Sequence, residues 1–199
     1  MKLMAILTLA ACTLAIGGFA ADTIIDNSTN LTFPREVSFD HNGKQYELEA
    51  TGVATRKKLI IKIYSVASYL QKGAATGGDK LQAILSEDNA KQLTMKWVRD
   101  ISPIQLKEAY DDSFHRVFPE QQYAELQTVI KEFLNLFSQP AKKGEEYIIR
   151  SIPGGEIVVL INGKKVGSVT NPAFAQGLWK VWFGDKSIVK RSELLSQMQ

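Results

Sequence analysis

Cysteine is almost absent from this chain. Its single copy, Cys12, lies in the apolar N-terminal run Leu3–Ile16. Without that run no thiol remains, so disulfides and thiolate chemistry are excluded. Histidine is nearly as scarce. His41 falls in a turn signal and His115 in a helical stretch beside Asp111, and neither has a second ligand at metal spacing, which argues against a metal centre. No G-x-S-x-G elbow occurs, so an acyl-enzyme site of familiar type is not expected. Gly154-Gly155 leads into a strand pattern and reads as a turn, because a phosphate cradle needs a helix to follow it. Charge of one sign is lacking too. The formal net charge is only +3, and the pairs Lys57-Lys58, Lys142-Lys143 and Lys164-Lys165 sit near turns rather than in a stripe, which points away from a nucleic-acid partner.

What is present begins with a leader. Met1-Lys2 is a short basic start, Leu3–Ile16 is nearly all apolar, and Gly17-Gly18-Phe19-Ala20 closes with small residues. That pattern is a secretory signal peptide over residues 1–20, and its apolar run is too short to favour a permanent membrane span. Cleavage after Ala20 leaves a periplasmic or secreted chain. Leu9-Ala10-Ala11-Cys12 offers an alternative, a lipoprotein anchored through Cys12. Residues 21–199 then form one domain of about 180 residues, enough for a sizeable core, with no second apolar segment of spanning length.

The remaining patterns alternate strands and helices. Glu36–Asp40 and Lys44–Glu49 flank Asn42-Gly43, a hairpin signal. Asp22–Phe33 reads as an extended lead-in, Lys58–Leu70 and Lys91–Arg99 as strands, and Asp79–Glu87 as a short helix around the stripe Leu81, Ile84, Leu85. Ser102-Pro103-Ile104-Gln105 opens a helix with a capping box. A second helix is expected from Pro119 to near Pro140, with Leu126, Val129, Ile130, Phe133, Leu134 and Phe137 at helical spacing. Glu145–Ser151 and a hairpin about Asn162-Gly163 follow, then a helix from Asn171-Pro172 to Phe183 whose Trp179 and Trp182 share one face, and a short helix over 189–197. The class predicted is α+β, an antiparallel β-sheet with helices packed on one face, an open-faced sandwich.

Four segments in order carry a resemblance: Gly52–Leu70 (GVATRKKLIIKIYSVASYL), Trp97–Ile101 (WVRDI), Ile157–Gly167 (IVVLINGKKVG), and Ala173-Phe174 followed by Leu178–Gly184 (LWKVWFG). With the leader, they resemble the secreted bacterial branch of the chalcone isomerase-like family. The resemblance implies that family's fold and either of two activities. True isomerases of the family close a flavanone ring with an arginine, a threonine on the signature strand, and a tyrosine and an asparagine on the next helix. Here Arg56 matches the arginine, but Tyr64 stands at the threonine position, Leu106 at the tyrosine position and Ser113 at the asparagine position. Non-catalytic members hold a fatty-acid carboxylate with an arginine and a tyrosine, which Arg56 and Tyr64 match.

The expected function is therefore binding of an apolar small molecule with an acidic head, such as a fatty acid, through Arg56 and Tyr64, with no catalytic residue, no cofactor and no metal. An isomerase acting on a flavonoid-like or phenolic substrate is the alternative, and an envelope interaction protein without a ligand is the third reading. Arg56 and Tyr64 are eight residues apart, roughly 26 Å along one straight strand at about 3.3 Å per residue. They can share a carboxylate only if the chain bends or reverses near Lys57-Lys58.

Overall fold

The computed structural model describes residues 22–74 and 78–198. The leader expected over residues 1–20, its cleavage site and Cys12 lie outside the described residues. Described strands are β1 (Thr23–Asp26), β2 (Leu31–Pro34), β3 (Glu36–His41), β4 (Lys44–Lys58), β5 (Ile61–Gln71), β6 (Lys91–Trp97), β7 (Glu146–Ile152), β8 (Glu156–Ile161) and β9 (Lys164–Thr170). The helices are α1 (Lys80–Leu85), α2 (Pro103–Val117), α3 (Glu120–Glu125), α4 (Gln127–Asn135), α5 (Pro172–Phe183) and α6 (Arg191–Leu194).

Strands β3 to β9 form one seven-stranded sheet in sequence order, every pair antiparallel. Its turns follow the local chemistry. Asn42-Gly43 and Asn162-Gly163 hold positive φ at both positions, as two-residue hairpins require. The helices enter at two breaks in this meander. Helix α1 interrupts β5 and β6, and α2 to α4 interrupt β6 and β7. Ser102 caps α2 as the sequence predicts: its hydroxyl accepts the Gln105 amide at 3.2 Å, and the Gln105 side chain accepts the Ser102 amide at 3.1 Å.

Alternation of side chains splits the sheet into two apolar faces. One face (Tyr64, Val66, Leu93, Met95, Trp97, Tyr147, Ile149, Ile157 and Val159) packs against Phe114, Phe133, Phe137, Phe174, Trp179 and Trp182 of the helices. The other is smaller and gathers Phe39, Tyr46, Leu48, Ala67, Tyr69 and Val158 under Ile24 and Phe33. The lead-in expected over Asp22–Phe33 is thus a β1–β2 hairpin that covers part of the second face. Asp26 pins it. Burial pushes its carboxyl up, but hydrogen bonds from Ser65 and Thr55 and from the Ser28 amide outweigh that and hold it below its ordinary value.

Two boundaries differ from the sequence reading. The helix expected from Pro119 to near Pro140 breaks at Leu126, which ends α3 and starts α4 outside helical geometry (φ −92°, ψ 1°). More consequential, β4 does not end at Glu49. It runs on to Lys58, and the chain reverses at Leu59-Ile60, so the single strand expected over Lys58–Leu70 is the return arm of a long hairpin.

Candidate functional site

The reversal decides where Arg56 and Tyr64 stand. They are direct cross-strand partners in the β4–β5 ladder. Residues so paired have Cβ atoms only about 4.5–5.5 Å apart, against the roughly 26 Å of a straight strand. Immediately beyond the pair the register slips, with Arg56 facing Tyr64 but Lys57 facing Lys62, which leaves Ile63 as the extra residue of a bulge. Bulges of this kind re-aim side chains beside functional sites.

Each of the two side chains is held by the C-terminal part of the chain. Arg56 Nη1 donates to the Ile188 carbonyl at 2.8 Å and to the Lys57 carbonyl at 3.1 Å. Among the described residues its Nη2 and Nε take no partner, so one edge of the planar fork stays available to an incoming acceptor. Tyr64 Oη accepts the Trp182 indole N–H at 3.2 Å, and no acceptor among the described residues takes its own proton. Tyr64 is only 7% exposed. Burial pushes its hydroxyl up to about 12, against the smaller opposing effects of the Trp182 bond and the Arg56 charge. At neutral pH it is therefore a neutral donor.

Both residues face a cavity of about 370 Å³ between the sheet and α2, a size within the roughly 300–1,000 Å³ of small-molecule sites. Its apolar wall is built by Ile61 and Ile63 of β5, Trp97 of β6, Ile101 after it, and Leu106 and Tyr110 of α2. Arg56, Lys58, Arg99 and Arg116 bring four cations to the lining, against the carboxylates of Asp100, Glu108 and Asp112. Asp100 is already engaged outside the cavity. The Lys143 amide (2.8 Å) and then the Lys142 ammonium (3.1 Å) hold its carboxyl below the ordinary value. The balance of charge at the lining favours an anion.

The sequence reading did not single out Arg99, Arg116 or Tyr110, which line this cavity. Tyr110 is a core aromatic by spacing, stacked on Phe137 at 5.1 Å. Its hydroxyl, pushed well up by burial and by the neighbouring Tyr64 and Tyr147, nevertheless has no hydrogen-bond partner among the described residues. Helical spacing was the available signal: Leu106, Tyr110 and Ser113 lie three and four residues apart on one face of α2. Leu106 and Ser113, the positions matched to the isomerase tyrosine and asparagine, do line this cavity. Leu106 has no polar atom, and the Ser113 hydroxyl is spent on the Ala109 carbonyl at 2.7 Å.

Elsewhere the chemistry is thinner. A hollow of about 390 Å³ near the C-terminus is lined by Arg35, Glu36, Glu49 and Gln71, but Arg35 is already paired with Asp22 at 2.9 Å and with Gln197, so its one lining cation is already engaged. Among the described residues no cluster of His, Cys, Asp and Glu could hold a metal ion. His41 bonds Glu156 at 2.9 Å, and His115 stacks on Tyr123 with its centroid at 3.8 Å and lies 3.8 Å from Asp111. No described helix is long and apolar enough to cross a membrane.

Comparison with known proteins agrees with the fold. The family model described as chalcone isomerase-like matches residues 27–196. No curated protein matches the chain. Among solved structures, the crystal structure of a fatty-acid binding protein from Arabidopsis thaliana superposes with a TM-score of 0.72 over 87% of this chain and 96% of that chain, at 17% sequence identity. At that identity the likeness is one of fold: a curled antiparallel sheet with helices on one side.

Proposed function

The chain belongs to the chalcone isomerase-like family, and from that premise we propose that it is a non-catalytic binder of an apolar small molecule with an acidic head, of which a fatty acid is the first example to test. One observation carries the reading. The Arg56–Tyr64 cross-strand pair presents an unspent guanidinium edge and an unspent hydroxyl proton to a largely apolar cavity. A carboxylate accepts from both, and a charge-assisted bond to arginine is roughly twice as strong as a neutral one. The tail lies along Ile61, Ile63, Trp97 and Leu106, gaining about 0.8 kcal/mol for each CH₂ buried. A fatty-acid binding protein with the same fold supports the choice of ligand class. Titration with a fluorescent fatty acid tests it, and affinity that fails to rise with chain length would count against the tail's place in the cavity.

The same lining argues against the isomerase reaction. Ring closure develops an oxyanion, and losing one oriented donor to it typically costs about 10²–10³ in rate. Leu106 donates nothing, and the Ser113 hydroxyl proton is committed to Ala109. Naringenin chalcone incubated with the protein should cyclise no faster than it does spontaneously. A saturable rate would make this an enzyme.

We further propose that the protein is exported and cleaved after Ala20, on the strength of the leader pattern, and bacterial, on the resemblance of its ordered segments and leader to the family's secreted bacterial branch. Intact mass of the material recovered from the cell envelope should correspond to a chain starting at Ala21. A diacylated N-terminal Cys12 would instead make it a lipoprotein.

A further inference from the structure

Three two-residue hairpins join strands of the large sheet, and one of them has the wrong chemistry for a turn. The β3–β4 and β8–β9 hairpins turn on Asn-Gly, but β4–β5 turns on Leu59-Ile60. Leu59 sits at φ 56°, in the left-handed region that bulky residues avoid and asparagine or glycine tolerates. Packing offers no compensation. Leu59 is 93% exposed, Ile60 92% and the adjoining Ile61 47%. Six large hydrophobic residues are exposed among the described residues, and this one run supplies three of them.

The flanks are cationic. Arg56, Lys57, Lys58 and Lys62 surround the tip, and no acidic residue occurs from Arg56 to Ile63. Among the described residues none of the three lysines pairs with a carboxylate. The Lys62 ammonium turns back onto the Ser28 carbonyl. We propose that this hairpin tip docks the protein on an anionic lipid surface, with Leu59 and Ile60 entering the headgroup–acyl boundary and Lys57 and Lys58 meeting lipid phosphates.

Size and charge both select this occupant. A specific protein–protein contact buries about 800 Å² on each side, far more than two aliphatic side chains at a turn present. A bilayer interface accepts a small apolar wedge ringed by lysines, and an anionic one attracts the ring. The wedge also stands at the cavity, because Lys58 and Ile61 line its wall. A docked tip sets that cavity beside the layer where the carboxylate of a membrane-dissolved fatty acid lies. This last step rests on the binding reading above, whereas the docking itself does not.

The test uses the chain from Ala21 to Gln199, which holds every buried residue described, from Ile24 to Leu194. Wild type and Leu59→Asn/Ile60→Ser are co-sedimented with vesicles of phosphatidylcholine alone and with phosphatidylglycerol added. Asparagine keeps the left-handed turn, so the double variant should melt with the wild type. Wild type is expected to bind the phosphatidylglycerol vesicles and to release as salt is raised. The variant should bind about tenfold more weakly or worse, since two aliphatic anchors are lost. Equal partition of the two proteins, including none for either, overturns the proposal. So does a tip-dependent dimer in vesicle-free solution without vesicle binding. Fatty-acid affinity measured without vesicles should be the same for both, because neither Leu59 nor Ile60 lines the cavity. Wild type that binds vesicles but no fatty acid refutes the ligand reading and leaves the docking. Wild type that binds fatty acid but no vesicles does the reverse.

Discussion

Arg56→Ala is expected to weaken binding of a long-chain fatty acid by about tenfold to a hundredfold. Hydrogen bonds to charged groups contribute about 1.5–3 kcal/mol, and each 1.4 kcal/mol is about tenfold in affinity. Tyr64→Phe removes one neutral donor, about 0.5–1.5 kcal/mol, and should cost less. The native arginine also anchors structure, since Nη1 reaches the Ile188 carbonyl at 2.8 Å. The ligand-free melt of Arg56→Ala should therefore fall slightly, by the order of 1 kcal/mol for one hydrogen bond. Isothermal titration of wild type and both variants, beside ligand-free thermal melts, separates the two contributions. Unchanged affinity in both variants would remove Arg56 and Tyr64 from any binding role.

The second large effect is on stability. Gly52→Ala is expected to destabilise the fold by about 2–6 kcal/mol, combining left-handed strain with a forced overlap. Gly52 holds φ +156°, and a Cβ there would stand 2.2 Å from the Glu193 carbonyl oxygen and 2.6 Å from the Leu194 carbonyl carbon. Those are backbone atoms of α6, which cannot rotate aside as a side chain could. The register also slips beside this residue, between Ala50 and Gly52, and that is where α6 lies against β4. Urea unfolding of Gly52→Ala against wild type measures the loss. A midpoint within experimental scatter of wild type would mean that α6 can move off the strand at little cost.

Much of the fold was legible wherever local chemistry and global structure agreed. The Asn-Gly turns, the Ser102 capping box, the Asn171-Pro172 helix start and the 3.6-residue apolar stripe on α4 each carry a mechanism that acts within a few residues. The β4–β5 hairpin carried none. Leu59-Ile60 has no turn chemistry, and apolar Ile60, Ile61 and Ile63 continue a strand pattern through the point of reversal. The sequence therefore read one strand over Lys58–Leu70, and whether Arg56 and Tyr64 converge stayed open. Resemblance singled out those two residues, and only the reversal places them opposite each other. Arg99, Arg116 and Tyr110 were not legible as cavity-lining because a cavity is a property of packing between elements, and no single element records it. The break at Leu126 was hidden for a related reason, since its burial matches that of a helical core position.

The contacts that aim the two site residues span most of the chain. Arg56 is aimed by a carbonyl 132 positions later, and Tyr64 accepts its indole proton from a residue 118 positions later. Strand pairing, by contrast, runs between consecutive strands, and the β3–β4, β4–β5 and β8–β9 pairs are each closed by a two-residue turn. A growing chain thus acquires the ladder early and the aim of its guanidinium last. The contacts that hold Arg56 and Tyr64 therefore close only once residues 182–188 have joined the chain.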